Sequence, residues 1–207
     1  HQMQAAVHCI GDRAMDMVIE AIAKSPYRKD NAKNRHGIVH CQITNPRILK
    51  EMKEHDILAY IQPVFVDLDM NTVESAIGAH RMEGIYAWKS MLDLGIHASG
   101  GSDAPVDSFD AMENIYFAVT RKNIYGEPEE GWIPSERLSV DEAVKLFTKD
   151  AAYASYTEDE NGTIEIGKNA DFVILEKDIY KIDPNEIKTT KVDMTILGGR
   201  TVYERKM

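Results

Sequence analysis

The sequence predicts an α/β fold. Parallel strands joined by crossover helices fill residues 1–156, and a smaller all-β portion fills 157–207. Three observations carry this. Four short apolar runs alternate with segments of helical periodicity. The helical segments open on recognisable caps. After residue 156 the helices give way to short alternating strands punctuated by glycine.

The first run, AAVHCI (5–10), reads as a strand. It leads into GDRAMDMVIEAIAK (11–24), where Met15, Val18, Ile19 and Ile22 recur at helical spacing and Asp12 stands where a cap is expected. HGIVHCQ (36–42) is the second strand. Asn45-Pro46 then supplies an N-cap and a proline at the first helical position, for a helix to about His55. ILAYIQP (57–63) is the third strand, stopped by Pro63. A long segment, 64–83, precedes the helical GIYAWKSMLDLG. IHASGG (96–101) is the fourth strand, followed by a helix from Asp110 to about Lys122. Ser139 and Glu142 form a capping box for a helix predicted to reach Tyr156.

Composition narrows the function classes. The chain is 43% hydrophobic and carries a formal charge of −10, which argues against nucleic acid and against an anionic membrane surface as partners. No apolar run approaches the roughly 20 residues of a spanning helix. No secretory leader is recognisable and the only cysteines, Cys9 and Cys41, make no disulfide framework, so a cytoplasmic location is expected.

The chemistry-bearing residues are His8, His40 and Asp103. Each closes a predicted strand or sits just past one. His40 follows His8 by 32 residues and Asp103 follows His40 by 63. A (β/α)8 barrel devotes about 30 residues to each βα unit, so these are steps of one unit and two. The spacing brings the three to matching depths at the C-terminal mouth of the sheet, where such folds keep their chemistry. Two imidazoles and a carboxylate suit a divalent ion of the zinc type. Taken singly, a strand histidine reads more readily as a structural residue, and Asp103 before Ala104-Pro105 could be a turn former. His1, His36, His55, His80 and His97 do not share the spacing and are assigned to structure or solvent. Cys9 and Cys41 each follow a candidate ligand and are expected to point to the opposite face, as packing residues. Arg81, in the long segment after strand three, could meet a substrate carboxylate, or could be a solvated loop arginine. Gln62 could reach substrate or hold a structural hydrogen bond.

VHCIGDRAMD, RHGIVHCQITNP, the QP that ends strand three, GGSDAPVD and the late NGTIEIGKNADFVILEKD together resemble the amidohydrolase superfamily, specifically its amidohydrolase 3 branch of metal-dependent hydrolases. The resemblance covers nearly the whole chain. It implies a (β/α)8 TIM-type barrel, of which residues 1–156 would hold strands 5–8, and a β-sandwich to which 157–207 would contribute. It implies that His8 and His40 serve one metal and Asp103 another. Asp103 would also be the general base and acid, taking a proton from water and giving it to the leaving nitrogen.

Two departures accompany the resemblance. Val39 stands where this branch commonly has Glu, and no H-x-H occurs in the 207 residues. The expectation is therefore a C-terminal half of a hydrolase for C–N bonds in amides or cyclic amides. The half alone is expected to be inactive and to hold metal weakly or not at all. The small-molecule substrate is unspecified, and the open barrel edges are expected to self-associate or to hold the missing half. A non-catalytic half-barrel binding module, or a degenerate relative, is the alternative from another class. A phosphoesterase on the same scaffold is a further one.

Overall fold

The computed structural model describes residues 3–206; His1, Gln2 and Met207 lie outside the described residues, so the assignment of His1 to solvent does too. Four strands, β1 (Ala6–Cys9), β2 (Gly37–His40), β3 (Leu58–Ile61) and β4 (Ala98–Gly100), form one parallel sheet in that order. Consecutive strands are neighbours because each is followed by a helix that returns the chain over the same face. Three more, β5 (Phe172–Leu175), β6 (Val192–Leu197) and β7 (Arg200–Glu204), form a separate antiparallel sheet.

One face of the parallel sheet is the core. Ile38, Ala59, Ile61 and Ala98 are buried on it. They join Met15 and Ile19 of helix Asp12–Lys24, Ile48, Leu49 and Met52 of helix Pro46–Glu54, and Trp88 and Met91 of helix Trp88–Asp93. Burying each large apolar side chain contributes about 1.5–3 kcal/mol. The opposite face carries His8, Val39, Tyr60 and Ser99, which lie in one register row across the four strands. Val39, Tyr60 and Ser99 are only partly covered and His8 is exposed. Ala59 and Ile61 face the helices, because strand alternation assigns them the parity opposite to Val39 and Tyr60. The sheet is open at β1 and at β4. Beside β1 runs an apolar groove of 450 Å³ lined by residues that include Val7, Met17, Val18, Ile22 and Tyr27.

The helix starts follow their caps. Asn45 accepts a hydrogen bond from Ile48 N, Asp110 from Met112 N, and Ser139 and Glu142 complete the reciprocal box. Gly11, not Asp12, is the N-cap of the first helix, and Asp12 is its first residue. The helix expected to run from Ser139 to Tyr156 is two, Val140–Leu146 and Lys149–Ala154. Thr148 leaves helical geometry between them, and its hydroxyl donates back to Val144 O at 2.8 Å. The segment after the helix Lys149–Ala154 is tied back to the start of β2: Arg35 donates to both carboxylate oxygens of Glu158 and lies 3.8 Å over the Tyr153 ring. Among the described residues, no helix is long and apolar enough to cross a membrane.

Candidate metal centre

His8 and His40 come together at the C-terminal ends of β1 and β2. Their rings meet edge-on with centroids 4.5 Å apart, and His40 Nε2 lies 2.8 Å from His8 Nδ1. The register alone does not produce this. His8 pairs with Val39, and His40 with Cys9, so regular alternation would send the two imidazoles to opposite faces. The backbone resolves it: His40 has φ 81° and Cys41 φ 51°. A left-handed residue at the strand end breaks the alternation. Such geometry in residues other than glycine is costly, of order 1–3 kcal/mol, and concentrates at functional sites.

Gln62, buried at the end of β3, fixes the tautomer of His40. Its Nε2 donates to Tyr60 O at 3.0 Å, which turns Oε1 toward His40 Nδ1 at 2.9 Å. Nδ1 therefore carries the proton, and the Nε2 lone pair faces His8. Burial holds the His40 pKa below its ordinary value. Nearby His8 lowers it further, while the Gln62 hydrogen bond and the Asp103 charge oppose. The imidazole is neutral at pH 7, the state a metal requires. Phe65 stacks on His40 with centroids 5.9 Å apart and planes 25° from parallel.

Asp103 stands past the end of β4 in an exposed turn, with φ 56°. It is close enough for its charge to act on His40. It does not join the histidines in one ligand cluster: among the described residues, no three His, Cys, Asp or Glu side chains are grouped to hold a metal. β3 lies between β2, which carries His40, and β4, which precedes Asp103.

The two histidines fit an ion as a partial site. Two imidazole nitrogens bound at about 2.0–2.1 Å in tetrahedral geometry stand about 3.3 Å apart. The observed 2.8 Å needs only a small opening.

Arg81 pairs with Asp12, each somewhat over a third exposed, so its guanidinium is engaged within the chain. Cys9 and Cys41 are buried free thiols. Burial pushes both pKa values up, which suits packing residues and not nucleophiles.

The sequence reading did not include Phe65, Gln42, Asp69 or Tyr86. Gln42 Nε2 donates to Asp69 Oδ2 at 3.1 Å, and the Tyr86 hydroxyl donates to the same oxygen. For Phe65 and Asp69 the sequence signal was the length of the segment 64–83 after β3; Gln42 and Tyr86 lie outside it and had none.

Comparison with known proteins follows the same lines. The model of the amidohydrolase family (Amidohydro_3) matches residues 1–203. The putative amidohydrolase YtcJ of Bacillus subtilis is 35% identical over 204 residues, which are 98% of this chain and 38% of that protein. The N-substituted formamide deformylase of Arthrobacter pascens is 29% identical over 202 residues, 97% of this chain and 36% of that protein. Among solved structures, an uncharacterized metal-dependent hydrolase from Pyrococcus furiosus superposes with a TM-score of 0.70 at 28% identity, covering 85% of this chain and 34% of that one. The chain thus spans well under half the length of these relatives.

Proposed function

Because the chain belongs to the amidohydrolase family, we propose that it supplies metal-binding and proton-transfer residues to a hydrolase of C–N bonds in amides. The observation that carries this reading is the His8–His40 pair, with His40 held neutral by burial and oriented by Gln62. A divalent ion of the zinc type, held by His8 and His40, would polarise the carbonyl and acidify water. Gln62 keeps the His40 ring in place, as an outer partner of a metal-ligating histidine does. Phe65 shields one imidazole face from solvent. Asp103 accepts a proton from the attacking water at its carboxylate and delivers it to the leaving nitrogen, so that the amine departs neutral. The relatives' greater length supports assigning the remaining ligands and the rest of the pocket to sequence beyond these 207 residues.

The test is hydrolysis of secondary formamides by the full-length protein before and after chelation. Activity is expected to vanish on chelation and to return with zinc. Hydrolysis that survives complete metal removal would contradict the reading.

A further inference from the structure

The left-handed pair His40–Cys41 turns His40 toward His8, and neither residue is a glycine that would adopt this backbone freely. Residues with a Cβ prefer extended backbone here, so the turn has to be held from outside the strand. The chain leaves it at Gln42 and Ile43, and both are gripped. Ile43 N donates to Ile10 O, just past β1, at 2.9 Å, and Ile43 pairs with Ile85 in an isolated antiparallel bridge. Gln42 O accepts from Tyr86 N at 2.8 Å, and Gln42 Nε2 donates to Asp69 Oδ2 at 3.1 Å. The Tyr86 hydroxyl donates to the same oxygen. Tyr86 thus holds Gln42 twice, once by its backbone and once through Asp69.

The grip has its own anchors, away from β2. Tyr86 is buried, and its carbonyl accepts from Arg121 Nη1 at 3.0 Å and from Trp88 N at 2.9 Å. Its ring meets those of Trp88 and Trp132 edge-on, with centroids 6.1 and 5.1 Å away. Asp69 closes the helical turn Val66–Asp69, where Asp67 Oδ1 accepts from Ile124 N at 2.6 Å. Gln42 is itself buried, so its side-chain bond to Asp69 is made out of contact with bulk water. A strained turn persists where the surrounding structure over-determines it, and these contacts do that for His40 and Cys41.

We propose that Gln42, Asp69 and Tyr86 are positioning residues for the metal centre: they clamp the exit of β2, hold the left-handed turn at His40–Cys41, and so keep His40 facing His8. This rests on the reading of the two histidines as metal ligands. The clamp acts on the backbone of His40, whereas Gln62 acts on its ring. Without the clamp the turn relaxes toward regular alternation, which sends the two imidazoles to opposite faces of the sheet.

Asp69→Leu removes the shared acceptor, while Asp69→Asn keeps an oxygen that accepts both bonds. Tyr86→Phe removes one donor and keeps the ring. In the full-length protein, the variants are compared by two readouts. One is the nuclear Overhauser contact between the His8 and His40 rings with metal removed. The other is zinc affinity, by competition with a chromophoric chelator. The contact is expected in the wild type and in Asp69→Asn, and is expected to be lost in Asp69→Leu. Zinc should bind Asp69→Leu about tenfold more weakly, the lower end for an outer partner of a ligating histidine. Asp69→Asn should stay within about threefold of the wild type, since its neutral oxygen makes weaker bonds. A merely structural clamp would lower the thermal midpoint of Asp69→Leu and leave contact and affinity unchanged. That result, or no change at all, would overturn the proposal. Loss of the contact with unchanged zinc affinity would keep the clamp and sink the assignment of the histidines to the metal. Should Asp69→Leu fail to fold, Tyr86→Phe decides: a weaker contact and weaker zinc binding are expected, and wild-type values for both would overturn the assignment.

Discussion

Asp103→Asn should lower kcat of the full-length protein by about 10²–10⁴-fold, the usual contribution of a positioned acid–base group. It should leave folding intact. Asp103 is exposed and sits at φ 56°, a conformation that Asn accepts as readily as Asp. The substitution is therefore neutral for the backbone, removes the proton-accepting carboxylate, and keeps the side-chain volume. Asp103→Ala would confound the result, because alanine is strained at this φ. Asp103→Asn should unfold within about 0.5 kcal/mol of the wild type, as surface changes do. Full turnover in Asp103→Asn would take Asp103 out of the chemistry.

Arg121→Ala should destabilise the chain by about 3–5 kcal/mol, read as a fall in the urea midpoint. Arg121 is 0% exposed and terminates the helix Ala111–Thr120 at φ 58°. Its Nε donates to Trp132 O and its Nη1 to Tyr86 O, both at 3.0 Å. The guanidinium lies 4.3 Å from the Trp88 ring and 5.3 Å from the Trp132 ring. Nη2 has no hydrogen-bond partner among the described residues, so the indole faces supply much of the compensation for a desolvated charge. Burial pulls the Arg121 pKa down to about 9, against Glu136 and Tyr86, which leaves it charged at neutral pH. Truncation would open a cavity, strand the Trp132 carbonyl and leave the Tyr86 carbonyl with its bond from Trp88 N alone. Arg121→Gly separates side chain from backbone, since glycine relieves the left-handed strain. If Arg121→Gly unfolds like the wild type, the side chain is not what holds this junction.

The framework of the fold was legible in the sequence because it rests on local signals. Asn45-Pro46 and the Ser139/Glu142 box fix helix starts through contacts three residues apart. The strand ends carry His8 and His40 because βα units repeat at a regular length. What was hidden depends on exact parity or on distant partners. Alternation predicts that His8 and His40 diverge, and only the left-handed turn at His40 brings them together. The Gln42–Asp69–Tyr86 set joins residues 27 and 17 positions apart through side chains alone, and no local pattern announces it. The break at Thr148 lies inside a run with an apolar face that gave no sign of ending.

The most direct test is a zinc titration of the full-length protein, followed through the imidazole resonances of His8 and His40, in the wild type and in Gln62→Leu and His40→Ala. The two histidines should shift together. Affinity should fall about 10–100-fold in Gln62→Leu and be lost in His40→Ala. Zinc that leaves both resonances unmoved, or that binds His40→Ala as tightly as the wild type, would contradict the assignment of these two histidines to the metal.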